Sequence, residues 1–383
     1  MREDQKSFES VNLDKMKKIV IFLTDSMRTY YSKGEIKERY YNPRNIFDEV
    51  HMISFCDKDI DPKEVAEVAG NAKLSIYAVG SINIFSLPFV LAKILSLIKK
   101  ISPDVIRAYD PSVRGAIAVW CGKKLGIDTA ISLHANLDEQ RLFDKNIKFR
   151  LRMFIEKYSL SNADEVICVS EHIVPYARRC GAKNITVIYN RVDIKRFGND
   201  RKRDGLNVKE ILSVARLESP KYQECLIRAI EDTGMNLTLI GSGDMENYLR
   251  DLTVKLGLFG RVRFIKSVPN KDIRSYYSAA DIFAIATYYE GFCIPVIEAM
   301  ASGIPVVASD IPSIKEVTRG VGILLRNEPH LFRDAFIKLR DDKGLYAGLS
   351  ESGKERVLLF DSESLEEKEK NFYGRLRVHP AKM

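Results

Sequence analysis

A chain of 383 residues with 45% hydrophobic content is long enough to bury the cores of two domains, which excludes a disordered or fibrous protein. Its net charge of +8 admits an anionic small substrate, a membrane surface or nucleic acid, and charge alone does not choose among them. Six cysteines and five histidines are scattered without metal-ligand spacing, which argues against a disulfide scaffold or a zinc site and for reduced thiols in a cytoplasmic protein.

The first fourteen residues are polar and charged, with no apolar core, so no secretory signal is expected and the chain should remain in the cytoplasm. Strand-length apolar runs follow at Lys18 to Leu23, Val50 to Ser54 and Ser75 to Val79. The run Ile84 to Ile98 carries Lys93 and ends in Lys99-Lys100; it is too short and too charged to span a bilayer and predicts a helix packed on a sheet. Further strands are expected at Asp104 to Ala108, Thr129 to Leu133 and Glu165 to Val169, with a helix over Val113 to Leu125 and a long one ending at Tyr158. Inside the latter, Arg141, Lys145, Lys148, Arg150, Arg152 and Lys157 face only Asp144 and Glu156, which suits a solvated helix face or a patch that meets anionic lipid.

The stretch from Gly198 to Gly205 is the most polar and helix-breaking in the chain and marks a linker between a first domain, 1–200, and a second, 206–361. Strands resume at Glu210 to Val214, Asn236 to Ile240, Val262 to Ile265, Ile282 to Ala286, Ile304 to Ala308 and Gly322 to Leu325. From Pro329 the pattern is helical only and ends in Ser362 to Arg377. Alternation of this kind predicts an α/β protein with two doubly wound parallel sheets.

One stretch carries most of the chemistry. After the strand ending at Ala286, a loop holds Glu290, and a helix should start near Ile294, where Pro295 is tolerated and Glu298 falls on the first turns. The N–H groups of Gly291, Phe292, Cys293 and Ile294 then point out of a helix N-terminus, where the dipole favours an anion such as a phosphate. Two carboxylates beside such a site would repel a bare phosphate but accept hydrogen bonds from sugar hydroxyls. A nucleotide sugar offers both groups; an ordinary strand-helix-strand unit with solvated glutamates remains the alternative on spacing alone.

The segment Glu290 to Ala308, with Glu-x7-Glu followed by Ala-Met-Ala-Ser-Gly-Ile-Pro-Val-Val-Ala, resembles the retaining glycosyltransferases of family four, glycosyl transferases group 1. That resemblance implies the GT-B fold, two Rossmann-like domains across a cleft, with the last helix, 362–383, crossing back to the first domain. It implies a metal-independent transfer from a UDP- or GDP-sugar, with no cofactor, to a saccharide, lipid-linked or small-molecule hydroxyl, and no nucleic-acid partner. Glu290 would contact the donor sugar and Glu298 the ribose. Arg216 and Lys221, placed like the family's diphosphate-holding cations, would neutralise the leaving group, although Ala215 and Tyr222 stand where glycines are usual.

The Gly241-Ser-Gly243 turn would lie near the donor, and the backbone of Lys266-Ser-Val268 would meet the base. His134 would sit near the transferred sugar, with Tyr109-Asp110 on the same edge toward the acceptor. The family's Gly-Gly after the first strand is replaced by Thr24-Asp25-Ser26, with Lys33-Gly34-Glu35 only later, and Arg191 stands where glycine is common. A nucleotide-sugar epimerase of the same fold and a silent binding subunit are the other classes open to this chain.

Overall fold

The computed structural model describes residues 18–83, 85–143, 147–198 and 207–376, and in it both expected sheets form, each parallel throughout. The first contains β1 (Lys18–Phe22), β2 (Glu49–Ser54), β3 (Lys73–Ala78), β4 (Val105–Ala108), β5 (Thr129–Leu133), β6 (Glu165–Cys168) and β7 (Ile185–Val187), in the order β3-β2-β1-β4-β5-β6-β7. The second contains β8 (Glu210–Val214), β9 (Asn236–Ile240), β10 (Val262–Ile265), β11 (Ile282–Ile285), β12 (Val306–Ser309) and β13 (Ile323–Leu325), in the order β10-β9-β8-β11-β12-β13. Continuously apolar strands such as β1 and β11 are buried on both faces, as crossover helices require.

The order reverses between β1 and β4 in one sheet and between β8 and β11 in the other. Loops leaving such neighbours diverge and open a crevice at the carboxyl ends of the strands. Both crevices face the same cleft, which is why residues far apart in sequence meet there.

Two local departures from the periodic pattern, at β7 and β12, have simple causes. The short strand β7 is an edge strand, half-buried and too brief to show a period. Where a long helix ending at Tyr158 is expected, the described residues hold helices at Leu137–Phe143 and Ile147–Asn162, and residues 144–146 lie outside them. Strand β12 starts two residues after Ile304 because Pro305 has no N–H to give a ladder. The expected linker lies outside the described residues beyond Gly198.

The last helix, Ser362–Leu376, packs on the first domain. Asp361 starts it by accepting from the Glu363 amide at 3.0 Å, and its inward stripe is Leu365, Glu366, Glu369, Phe372, Tyr373 and Leu376. Two carboxylates on an inward stripe need partners. Glu369 receives Arg107 of β4 on one oxygen and the Arg191 Nη1 at 2.8 Å on the other, while Glu366 accepts from the Arg44 amide at 3.0 Å. Arg107 also donates to Ser132 Oγ at 2.8 Å and Tyr373 Oη at 2.6 Å, so its Nε and Nη1 donors are met in a site almost closed to water. Arg191, the departure from glycine noted above, is thus half of a buried clamp on this helix.

Candidate functional site

A cavity of about 1280 Å³ lies between the two sheets, lined from the first domain by Thr24, Tyr109, Asp110 and His134 and from the second by Ala215, Arg216, Gly241, Gly243, Val268 and Glu298, among others. Apart from Glu298, which is on the helix after β11, these lie past the ends of β1, β4 and β5 on one side and of β8, β9 and β10 on the other. The glycines are required by crowding. A Cβ on Gly241 would lie 2.0 Å from the Ala215 carbonyl oxygen and one on Gly243 2.1 Å from that of Leu217, because the β8 and β9 loops run side by side. Gly241 in addition has φ of +147°, which side chains rarely adopt.

The helix Ile294–Ala301 begins as the sequence predicts, with Pro295 in its first turn and Cys293 before it in the left-handed region at φ +69°. Ile294, Pro295 and Glu298 reach the cavity. Glu298 is 7% exposed, and Tyr277 Oη donates to its Oε2 at 2.7 Å, fixing the carboxylate and leaving Oε1 for a ligand hydroxyl.

Lys221, Glu290, Gly291, Phe292 and Cys293 do not line the cavity. Lys221 donates to the Glu290 carboxylate and, at 3.3 Å, to the Tyr289 carbonyl, so the cation and the acid expected on different parts of a ligand hold one another. Phe143, in a first-domain helix, meets both Tyr288 and Tyr289 at a tilt with centroids 5.4 Å away. Gly291 is a contact between domains: a Cβ there would lie 1.7 Å from the His134 carbonyl oxygen, and its own carbonyl accepts from Ser170 Oγ at 2.9 Å. Arg216 is largely exposed and makes a 2.9 Å contact with Glu218.

On the first-domain wall, the His134 ring stacks on Tyr109 with centroids 5.6 Å apart, and its Nε2 has no hydrogen-bond partner among the described residues. Burial, helped by the nearby Arg107 guanidinium, lowers its pKa to about 4, so the ring is neutral at physiological pH. The sequence did not single out Tyr30, Tyr40 and Tyr41, which share this wall. The only signal for the last two was a Tyr-Tyr pair in a polar loop, and Tyr30 lies in the short helix Met27–Ser32 before it. That loop also crosses the cleft: Gly34 takes the positive φ of +72° and accepts from the Asn270 amide at 2.9 Å, beside Val268.

The model of the glycosyl transferases group 1 matches residues 198–356, and that of glycosyltransferase family 4 matches residues 48–196. Together they divide at the linker and span both halves. The chain belongs to the group 1 glycosyltransferases. This glycosyltransferase is 36% identical over 150 residues to an uncharacterised glycosyltransferase of Methanocaldococcus jannaschii, covering 35% of the chain and 38% of that relative. It is 32% identical over 184 residues to the D-inositol 3-phosphate glycosyltransferase of Corynebacterium diphtheriae, covering 44% of the chain and 43% of the relative, so each match spans less than half of either protein. The fold is GT-B: the Anabaena HepE structure with UDP-glucose superposes with a TM-score of 0.77 at 18% identity, over 93% of this chain and 99% of that one. Among the described residues no helix is long and apolar enough to cross a membrane.

The glycosyltransferase's neutral His134 has a measurable consequence. Its ring resonances should stay those of neutral imidazole down to about pH 5 in an NMR titration. The unfolded ring takes up a proton near pH 6.5 and the folded one only near 4, so this site costs stability as the pH falls between about 6.5 and about 4. A titration midpoint near 6.5 in the folded protein would show that the ring is solvated instead.

Proposed function

We propose that this glycosyltransferase moves a sugar from a nucleoside diphosphate sugar to an acceptor hydroxyl with retention of anomeric configuration. The observation that carries the proposal is one cavity with Glu298 and Arg216 on the second-domain wall and neutral, unpartnered His134 on the first. Glu298 Oε1 accepts a ribose hydroxyl, Arg216 meets the diphosphate, and the Lys266 to Val268 backbone meets the base. Lys221 and Glu290 start as a pair; a diphosphate that draws Lys221 toward it frees Glu290 for the hydroxyls of the transferred sugar. The leaving phosphate, neutralised by these cations, takes the acceptor's proton as the new bond forms on the same face.

Neighbouring folds crystallised with UDP and UDP-glucose make a uridine nucleotide the first ligand to try. Thermal shift against UDP- and GDP-sugars tests the donor, because a ligand at a hundredfold excess over its Kd adds about 2.7 kcal/mol of apparent stability. The anomeric coupling of the product, read by proton NMR, tests retention. Product of inverted configuration, or altered nucleotide sugar released without an acceptor, rules out this chemistry.

A second part of the proposal is peripheral contact with anionic lipid from the cytoplasmic side. Leu142 and Phe154 are 76% and 70% exposed, Met153 is also exposed, and Arg152 and Lys157 stand beside them. Arg141 does not belong to that surface, since it is held by Asp138 and Glu156. The side chains of Lys145, Lys148 and Arg150 lie outside the described residues. Cosedimentation with phosphatidylserine vesicles at low salt should fall in the variant Arg152→Glu/Phe154→Ala; unchanged pelleting makes the face merely solvated.

A further inference from the structure

At the end of the cavity formed by Lys266, Ser267 and Val268, the two domains touch through backbone alone. The helix Met27–Ser32 ends there in a Schellman turn: the Gly34 amide donates to the Tyr31 carbonyl at 3.0 Å and the Glu35 amide to that of Tyr30 at 2.9 Å, with Gly34 left-handed. Asp59 holds the start of the same helix, accepting from the Met27 and Arg28 amides at 3.0 and 2.8 Å. Held at both ends, this unit presents the Gly34 carbonyl to the second domain, where the Asn270 amide donates to it at 2.9 Å. A Cβ on Gly34 would lie 2.9 Å from both Pro269 Cα and the Val268 carbonyl oxygen, so the two chains meet with no room for a side chain.

Asn270 is gripped from its own side. Arg196 Nη1 donates to its Oδ1 at 2.6 Å and Nη2 to its carbonyl, and a planar fork on side chain and backbone together sets the direction of the residue. Arg196 precedes the linker in the chain, yet its short helix, Ile194–Phe197, packs on the second domain: Phe197 meets Tyr277 edge-on with centroids 5.5 Å apart, and Arg274 Nη2 donates to the Gly198 carbonyl at 3.0 Å. The bond that crosses the cleft is therefore the one between Asn270 and Gly34.

Other cross-domain bonds stand three or more strands away, past β6 and β12. There Ser170 Oγ donates to the Gly291 carbonyl at 2.9 Å, and Glu316 accepts from the Glu171 and His172 amides at 2.7 and 2.8 Å. Hydrogen bonds to a carboxylate are stronger than a neutral backbone bond, so the Gly34 end opens more readily than the Glu316 end. Lys33, Lys37 and Lys266 line the cavity at the Gly34 end and outnumber Glu35, which suits the passage of an anion.

We propose that Gly34, Asn270 and Arg196 form a clasp over the base end of the cavity, and that a nucleotide enters and leaves when the bond between Gly34 and Asn270 opens. This rests on the reading that the Lys266 to Val268 backbone meets the base. Arg196 is a positioning residue that acts through Asn270. The open fraction of the clasp multiplies both rates of exchange, so loosening it raises kon and koff together and leaves Kd little changed. Loss of a simple contact with the nucleotide raises koff alone.

Surface plasmon resonance with UDP and GDP over the immobilised full chain, paired with hydrogen exchange at residues 270–272, provides the test. Arg196→Ala, Asn270→Ala and Gly34→Ala should each raise kon and koff about three- to tenfold, the factor for about one net hydrogen bond, with Kd within about threefold of the parent. In Arg196→Ala and Gly34→Ala the Asn270 amide should exchange faster by a similar factor, while peptides from β8 and β11 keep their protection and show that the domain is folded. The proposal is overturned if the Asn270 amide exchanges freely in the parent, if the variants change koff alone, or if they change neither rate. Absence of binding by either nucleotide removes the donor reading instead, and the exchange data then decide by themselves whether the clasp is closed.

Discussion

Glu369→Ala is expected to destabilise the protein by about 3–5 kcal/mol, the effect of leaving a buried guanidinium without its carboxylate. Arg107 and Glu369 are only 7% and 5% exposed at their side chains, and Arg191 is 15% exposed. The alanine leaves Arg107 with Ser132 and Tyr373 as partners and no counter-charge. Joint replacement of Arg107 and Glu369 by methionine should cost clearly less than the sum of the single changes, because Arg191 keeps a contact with Glu366 at 3.8 Å and no unpaired charge remains at β4. Denaturant titration of Glu369→Ala, Arg107→Met, Glu369→Met and the double methionine variant measures this. A loss below about 1 kcal/mol for Glu369→Ala would mean that water reaches the pair. Burial pushes the Glu369 carboxyl up, but Arg107 and Arg191 outweigh it and hold it below the ordinary carboxylate range. Its contribution is therefore present above about pH 4.3 and is lost as the pH falls through the lower folded value.

The second large effect should separate the two glutamates of the donor side. Glu290→Gln keeps shape but removes the charge paired with Lys221, and in the proposed chemistry that charge faces a sugar ring that gains positive character as its bond breaks. It should lower kcat by about tenfold to a few hundredfold, the range given by a charged hydrogen bond of roughly 1.5–3 kcal/mol. In the proposed chemistry Glu298 accepts from a ribose that is unchanged by the reaction, so Glu298→Ala should mainly raise the donor KM. Because Tyr277 Oη donates to Glu298 inside the core, the alanine also removes that buried bond, and Glu298→Gln separates that structural loss from lost binding. Steady-state kinetics on the three variants decides it. The assignment fails if Glu290→Gln changes only KM while Glu298→Ala changes only kcat.

The chain by itself determined the sheets, their crossovers and the helix that presents Glu298. Apolar strand runs, turn residues and Pro295 act within a few positions of one another, so their physics is local and readable. It also placed His134, Arg216, Gly241, Gly243, Val268, Ile294 and Glu298 at strand ends and helix starts, and all of them line one cavity. Position at an edge follows from topology, but direction and partner do not. Glu290 and Lys221, 69 residues apart, lie at the ends of different strands, and only the approach of those loops turned two ligand groups into a pair. Gly291, expected as part of a phosphate cradle, is off the cavity lining and is where the His134 backbone of the other domain presses against the loop.

Tertiary structure alone decided the first-domain wall of the cavity. Tyr40 and Tyr41 sit in a loop with no period, and they become a wall only because β4 brings Tyr109 to them and the last helix brings Glu369 to Arg107 and Arg191. Glu369 and Arg107 are 262 residues apart, and a buried charge is tolerated only once its partner arrives. That condition depends on distances in space, which spacing along the chain does not encode.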